Sequence, residues 1–168
     1  MLQIRPAKLE DAAEVMKITK LAFKVYRQAL PNSDAPLSAL TETLADVRYD
    51  IGHNLVYLAE EDGLVLGSIR VESLSPDLAY IYRFSVNPDE SNGGIGSELL
   101  TRALNECAKR GYAAVALHTN SKYYKLARYY YGKEFYVHST NTDRGYIRAL
   151  FIKDLKNRPV DLTPAFSK

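Results

Sequence analysis

Residues 86–100, Val-Asn-Pro-Asp-Glu-Ser-Asn-Gly-Gly-Ile-Gly-Ser-Glu-Leu-Leu, constrain this chain more than any other stretch. The apolar run Ala79 to Val86 predicts a strand, which stops at Asn87-Pro88, crosses a small polar loop and enters a helix at Gly94. Gly93, Gly94 and Gly96 stand where that helix begins. Glycine tolerates a sharp bend and lets a ligand come close to backbone N–H groups. A helix's first turn carries unpaired N–H donors and the positive end of the dipole, so the junction suits an anion such as a pyrophosphate.

Two familiar phosphate motifs fail on residues. A P-loop needs Gly-Lys-Ser/Thr after its four-residue spacer, and no lysine stands from Asn87 to Thr101. The dinucleotide fingerprint needs a third glycine or alanine where this chain has Leu99, and it belongs in an opening βαβ unit.

Val86-x-Pro88, five residues, then Gly94-Ile95-Gly96-Ser97-x-Leu99-Leu100 resembles the acetyl-CoA motif of the GNAT superfamily of N-acetyltransferases. Ser91 departs from the Arg or Gln usual in that family. Backbone amides supply most of the implied pyrophosphate binding. The resemblance implies acetyl-CoA as co-substrate, held by the N–H groups of Ser91, Asn92, Gly93, Gly94, Ile95, Gly96 and Ser97. Phe84 and Val86 would meet pantetheine through their backbones, and Asn120 would bond its amide.

With 168 residues, 46% hydrophobic and 25% charged, the chain is expected to be one globular domain over 1–154 with a C-terminal tail over 155–168. No apolar run approaches the roughly 20 residues of a membrane span. The N-terminus lacks the apolar block of a secretory signal, and a cytoplasmic location is expected. The single cysteine, Cys107, excludes an internal disulfide and falls on the apolar side of a helix. No His/Asp/Glu set has metal-ligand spacing, so no metal is expected. Residues 1–84 carry −3 and residues 85–168 carry +5. The basic second half would suit a polyanionic cofactor, with ordinary surface variation as the alternative. A total of +2 gives no reason to expect nucleic acid.

Periodicity predicts a strand at Leu2–Arg5, an amphipathic helix at Leu9–Gln28, a loop from Leu30 to Pro36 and a second helix from Leu37 to near Gly52. Strands follow at Asn54–Glu60, Leu64–Glu72 and Ala79–Val86, the first two joined by a turn at Glu61-Asp62-Gly63. The helix after the glycine turn puts Ile95, Leu99, Ala103 and Cys107 on one face and ends at Gly111. Ala113–His118 reads as a buried strand, Ser121–Tyr131 as a helix, and Phe135–His138 and Tyr146–Ile152 as strands. The order β-α-α-β-β-β-α-β-α-β-β is an α/β layout with a mixed sheet. The resemblance makes it a GNAT-like, mostly antiparallel sheet flanked by helices, with two splayed parallel strands in the middle that admit pantetheine.

A second element, Ala127 to Phe135, resembles the family's Leu-Tyr-x-x-x-Gly-Phe segment. Counting five back from Phe135 puts the family tyrosine at Tyr130; Tyr129 and Tyr131 remain alternatives. Glu134 stands in place of the family glycine, and Gly132 is expected to stop the helix instead.

The implied reaction is direct attack of a primary amine on the acetyl thioester. A lysine-like amine is neutral only about once in 2,500 molecules at pH 7, so a base is useful. Glu72, His118 and Tyr82 are candidates, as is a water chain to one of them. A strand N–H near Val86 would serve the thioester oxygen, and Tyr130 would donate to the leaving sulfur. Lys122, Lys125 and Arg128 would meet the adenosine phosphates or form a solvated helix face. The acceptor is a small-molecule or peptide amine with a pocket from Ala22–Asp50 and Ser139–Arg144. There Asp34, Glu42, Asp46 and Asp50 would attract a cation or be ordinary exposed charge. Monomer and homodimer both stay open, and a non-catalytic acyl-CoA-binding or sensing module of the same fold is the rival reading.

Overall fold

Two central strands that run parallel and then part decide the architecture. The computed structural model describes residues 1–30, 37–90 and 93–168. The strands are β1 (Gln3–Pro6), β2 (Leu55–Glu61), β3 (Leu64–Ser73), β4 (Leu78–Val86), β5 (Ala114–Asn120), β6 (Tyr136–Asn141) and β7 (Arg148–Asp154). They form one sheet in the order β1-β2-β3-β4-β5-β7-β6. Every pairing is antiparallel except β4 with β5. That pair is in register only at Leu78–Ala114, Ala79–Val115 and Tyr80–Ala116. From Ile81 and Leu117 onward the two strands have no ladder between them, which is the expected splay.

The helices are α1 (Ala12–Ala29), α2 (Leu44–His53), α3 (Ile95–Lys109), α4 (Tyr124–Gly132) and α5 (Thr163–Phe166). α3 buries Ile95, Leu99, Leu100, Ala103 and Cys107 against the sheet, the face its spacing predicted. Cys107 is fully buried, and desolvation pushes its thiol up to about 12, so it is core and not a nucleophile. Gly67 on β3 is needed for this packing. A Cβ there would lie 2.9 Å from Leu99 Cδ1 and 3.0 Å from the Ser85 carbonyl oxygen.

The second helix is shorter than its periodicity suggested. Ser38–Leu40 makes one 3-10 turn, and α2 starts only at Leu44. Thr43 is the reason: its hydroxyl accepts from the Asp46 N–H at 3.2 Å, and Asp46 accepts from the Thr43 N–H at 2.8 Å, a reciprocal cap. The break turns Glu42 inward onto Arg70, which is completely buried on β3. Arg70 donates to both Glu42 carboxylate oxygens at 2.8 Å, to Asp50 at 2.9 Å and to the Thr19 hydroxyl at 3.1 Å. Burial opposes its charge, but these partners outweigh that and raise its pKa. Glu42 and Asp50 are therefore a structural counter-charge and Asp46 a helix cap, not an acidic lure for an amine. Asp34, with the 31–36 loop, lies outside the described residues.

The 155–168 segment is ordered against the sheet. Val160, Leu162 and the buried Ala165 of α5 pack with Leu78 and Tyr80. Lys168 then reaches Glu72, with Nζ 2.6 Å from the carboxylate. Among the described residues, no helix is long and apolar enough to cross a membrane.

Candidate active site

The glycine turn forms as its residues dictate. The Asn87 N–H bonds the Leu66 carbonyl at 2.8 Å, Pro88–Glu90 make one 3-10 turn, and the Gly93 N–H bonds the Glu90 carbonyl at 3.1 Å. Gly94 then takes φ +78°, a left-handed conformation that favours glycine. The first bond of the α3 ladder runs from the Glu98 N–H to the Gly94 carbonyl at 3.1 Å. The N–H groups of Ile95, Gly96 and Ser97 precede that ladder and lie at the positive end of the helix dipole. Gly96 is small for packing as well: a Cβ there would meet Val86 Cγ2 at 3.4 Å and Phe84 Cζ at 3.6 Å. The Ser97 hydroxyl is 3.1 Å from the Tyr129 hydroxyl, tying this turn to α4. Asp89, Glu90 and Glu98 oppose an anion here, but all three are exposed and screened. Ser91 and Asn92 lie outside the described residues.

A cavity of about 460 Å³ opens between the parted ends of β4 and β5. Tyr82, Arg83, Phe84 and Val86 line it from β4, and Leu117, His118 and Thr119 from β5. Phe23 and Tyr26 of α1, Leu126 and Tyr130 of α4, and Arg144, Tyr146 and Arg148 complete it. β4 contains one extra residue opposite β3, because Arg70 pairs with Tyr82 but Ser68 with Ser85. The bulge falls at Arg83 and Phe84, with Arg83 at φ +50°. Arg83 is held there by Glu42 at 3.2 Å and by the Ser38 hydroxyl at 3.1 Å.

The three consecutive tyrosines separate by direction, as one helix requires. Tyr129 meets Ser97, Tyr131 is 56% exposed, and Tyr130 is 6% exposed with its ring against Phe135 and Phe151. Of the three, Tyr130 lines the cavity. Burial raises its pKa, so its proton stays on oxygen.

The base candidates are placed differently. Glu72 is not on the cavity wall and is paired with Lys168. His118 is on the wall, and its Nδ1 shares a 2.5 Å hydrogen bond with the Tyr80 hydroxyl. Its buried Nε2 has no partner among the described residues. Burial first, then the charges of Arg148 and Arg144, push the imidazole down to about 3. Burial likewise pushes Tyr80 up to about 12. The Tyr82 hydroxyl accepts from Asn54 at 2.7 Å, and burial raises its pKa. Among the described residues, no carboxylate lines the cavity.

Asn120 does not reach the cavity. Its side-chain oxygen accepts from the Lys122 N–H at 2.9 Å and its own N–H donates to the Tyr26 hydroxyl at 3.0 Å. The sequence reading missed Tyr26, Tyr80 and Arg148. Arg148 had a signal, a charged residue opening the apolar run Ala149 to Ile152. For Tyr26 and Tyr80 no local pattern distinguishes a cavity wall from an ordinary amphipathic position.

Comparison with known proteins adds four findings. Residues 25–135 match the family model described as "Acetyltransferase (GNAT) family". An S-alkylcysteine N-acetyltransferase of Bacillus subtilis (strain 168) is 30% identical over 106 residues, 58% of this chain. The match spans only 56% of that relative's length. The fold superimposes on the PaiA N-acetyltransferase of Thermoplasma acidophilum, solved in complex with coenzyme A. That comparison has a TM-score of 0.79 at 19% identity, covering 92% of this chain and 99% of the other. It also resembles the ribosomal-protein-S18-alanine N-acetyltransferase of Escherichia coli, with a TM-score of 0.74 at 17% identity, covering 96% and 99% of the two chains.

Proposed function

This chain belongs to the GNAT acetyltransferase family, and on that premise we propose that it transfers the acetyl group of acetyl-CoA to a primary amine by direct attack. The observation that carries this reading is the path from the mouth of α3, along the unpaired edges of β4 and β5, into the cavity beside Tyr130. The residues present fit the donor. The N–H groups of Ile95, Gly96 and Ser97 suit its diphosphate, and Gly94 leaves open space in front of them. The edges of β4 and β5 that face each other beyond Tyr80 and Ala116 carry no ladder and suit the pantetheine amides.

When bound, acetyl-CoA supplies an electrophilic thioester carbonyl and a thiolate leaving group. The backbone at the Arg83–Phe84 bulge turns out of the β3 ladder, and an N–H there stabilises the oxygen as charge develops. The acceptor nitrogen forms the new C–N bond as the C–S bond breaks, and the electron pair goes to sulfur. Tyr130 donates its proton to that sulfur and regains one from solvent. The nitrogen's own proton leaves to water, because His118 is too weak a base and, among the described residues, no carboxylate lines the cavity.

The test is release of free thiol from acetyl-CoA by the purified protein against polyamines, amino acids and peptides. Amine-dependent thiol release supports the reading. Tight binding of acetyl-CoA without release to any amine points to a non-catalytic acyl-CoA-binding module instead.

A further inference from the structure

The extra residue in β4 divides the cavity wall into two sides. Ala79 and Ile81 belong to the apolar cluster beneath α3, and beyond the bulge at Arg83 so do Phe84 and Val86, together with Leu117 and Tyr130. Tyr80 and Tyr82 pack on the opposite cluster. The donor's path, from the mouth of α3 to Tyr130, therefore runs on the first side. α1 lies on the second, because its Thr19 bonds Arg70 and Arg70 pairs directly across from Tyr82. It adds Phe23 and Tyr26 to the cavity wall, and Tyr146 stands there just ahead of β7.

Three hydroxyls on this second side are bonded within the chain. That of Tyr26 accepts from the Asn120 N–H at 3.0 Å and shares a 3.2 Å bond with Thr119, that of Tyr80 bonds Nδ1 of His118, and that of Tyr82 accepts from Asn54 at 2.7 Å. What these residues leave for a ligand is ring carbon, and Phe23 offers nothing else. The charges of the wall are engaged as well. Arg83 is met by Glu42 and Ser38. Arg144 and Arg148 both donate to an oxygen of Lys168, at 2.9 Å and 2.8 Å. His118 is held neutral. Among the described residues no carboxylate lines the cavity. Asp143 is exposed in an adjoining hollow with Leu37 and Arg144.

Building on the acetyl-transfer reading, we propose that the acceptor is a monoamine with an uncharged aromatic or alkyl body, which lies against Phe23, Tyr26, Tyr82 and Tyr146 and brings its nitrogen to the gap beside Tyr130. Burial of that body against the rings drives binding, and its far end needs no ion pair. A second ammonium, as in a diamine or polyamine, would give up its water with no carboxylate on the wall to receive it. A free carboxylate on the acceptor meets the same wall, whose arginines already hold Lys168. Selectivity arises from what each extra charge loses and not from a new attraction.

The experiment sets hexylamine against hexamethylenediamine and phenethylamine against L-phenylalanine, with spermidine as a polycation. Acetyl transfer is followed by thiol release, and binding by calorimetry with coenzyme A present. Each apolar amine is expected to exceed its charged counterpart about 30-fold or more in kcat/KM, from the cost of burying an unmatched charge. Phe23→Ala lowers kcat/KM for phenethylamine about tenfold, mainly through KM, and leaves the Kd of coenzyme A unchanged. Phe23→Leu keeps most of the wild-type value. Turnover in which hexamethylenediamine, spermidine or L-phenylalanine matches the apolar amines upholds acetyl transfer and overturns the apolar acceptor site. Selective binding of phenethylamine that Phe23→Ala weakens, without turnover of any amine, upholds the site and overturns acetyl transfer. If apolar amines are favoured in neither binding nor turnover, or if their preference survives Phe23→Ala unchanged, the site is overturned.

Discussion

The Tyr80 hydroxyl and Nδ1 of His118 share a 2.5 Å hydrogen bond across β4 and β5, just where the backbone pairing between those strands ends. Two side chains take over from the ladder at the apex of the gap. Burial and the nearby arginines hold His118 near 3, neutral at any working pH, so it serves as a fastener of the splayed strands. A neutral His118 also explains why the proposed acceptor amine must shed its proton to solvent.

That arrangement has a pH signature in stability. Above about pH 6.5 the folded and unfolded chains both hold His118 uncharged. Below it the unfolded chain takes up a proton that the folded protein refuses until about pH 3. This contribution is present above pH 6.5 and is lost as pH falls towards 3. Urea midpoints measured at pH 7.5 and 5.5 should fall more for the wild type than for His118→Gln. Equal falls would mean that the imidazole is not held neutral.

Catalysis has its own pH signature. With the amine giving its proton to water, log kcat/KM rises by about one per pH unit below the acceptor's own pKa. An inflection near pH 6.5 that disappears in His118→Gln would instead make that residue the base.

Tyr130→Phe should lower kcat about 100-fold or more with little change in the Kd of coenzyme A. Tyr129→Phe and Tyr131→Phe should retain activity within a few-fold, because their hydroxyls face Ser97 and solvent. Assaying the three variants in parallel separates donation to sulfur from general packing.

Arg70→Met leaves Asp50 without its cation and Glu42 with Arg83 alone, and should cost about 3–5 kcal/mol in urea unfolding. Were Glu42 and Asp50 acceptor-binding groups, removing their counter-ion would instead leave stability intact and alter KM.

The end of α4 gives a smaller, opposite effect. The Phe135 N–H reaches the Tyr130 carbonyl at 3.0 Å, and the Glu134 N–H reaches that of Tyr131 at 3.0 Å. Together they make a helix stop with Glu134 in the left-handed region at φ +66°. Gly132 sits two residues too early to provide it. Glu134→Gly removes about 1 kcal/mol of strain, partly offset by added unfolded-state freedom. A raised urea midpoint is expected, and a lowered one would show that the ion pair of Glu134 with Lys153 Nζ, 3.5 Å away, outweighs the strain.

The legible parts of this chain were those written in local pattern. Alternating and three-to-four spacings set the strands and the face of α3, and Pro88 with Gly94 marked the turn. Where a polar side chain took a long-range partner, local reading failed. Thr43 cut the second helix because Glu42 was needed by Arg70, 28 residues away. Asn120 reads as a loop residue, yet it ends β5 because Arg148 pairs with it there. Acidic residues along α2 looked available to a cation, while Asp46 caps its own helix and Asp50 answers Arg70 far along the chain. Such pairings depend on which strands become neighbours, and spacing does not encode that.

The most direct measurement is a crystal structure of this protein with acetyl-CoA bound. The diphosphate oxygens should lie about 3 Å from the N–H groups of Ile95, Gly96 and Ser97, with the thioester between β4 and β5 next to Tyr130. A nucleotide seated away from the mouth of α3, or a thioester outside the gap, would contradict the account.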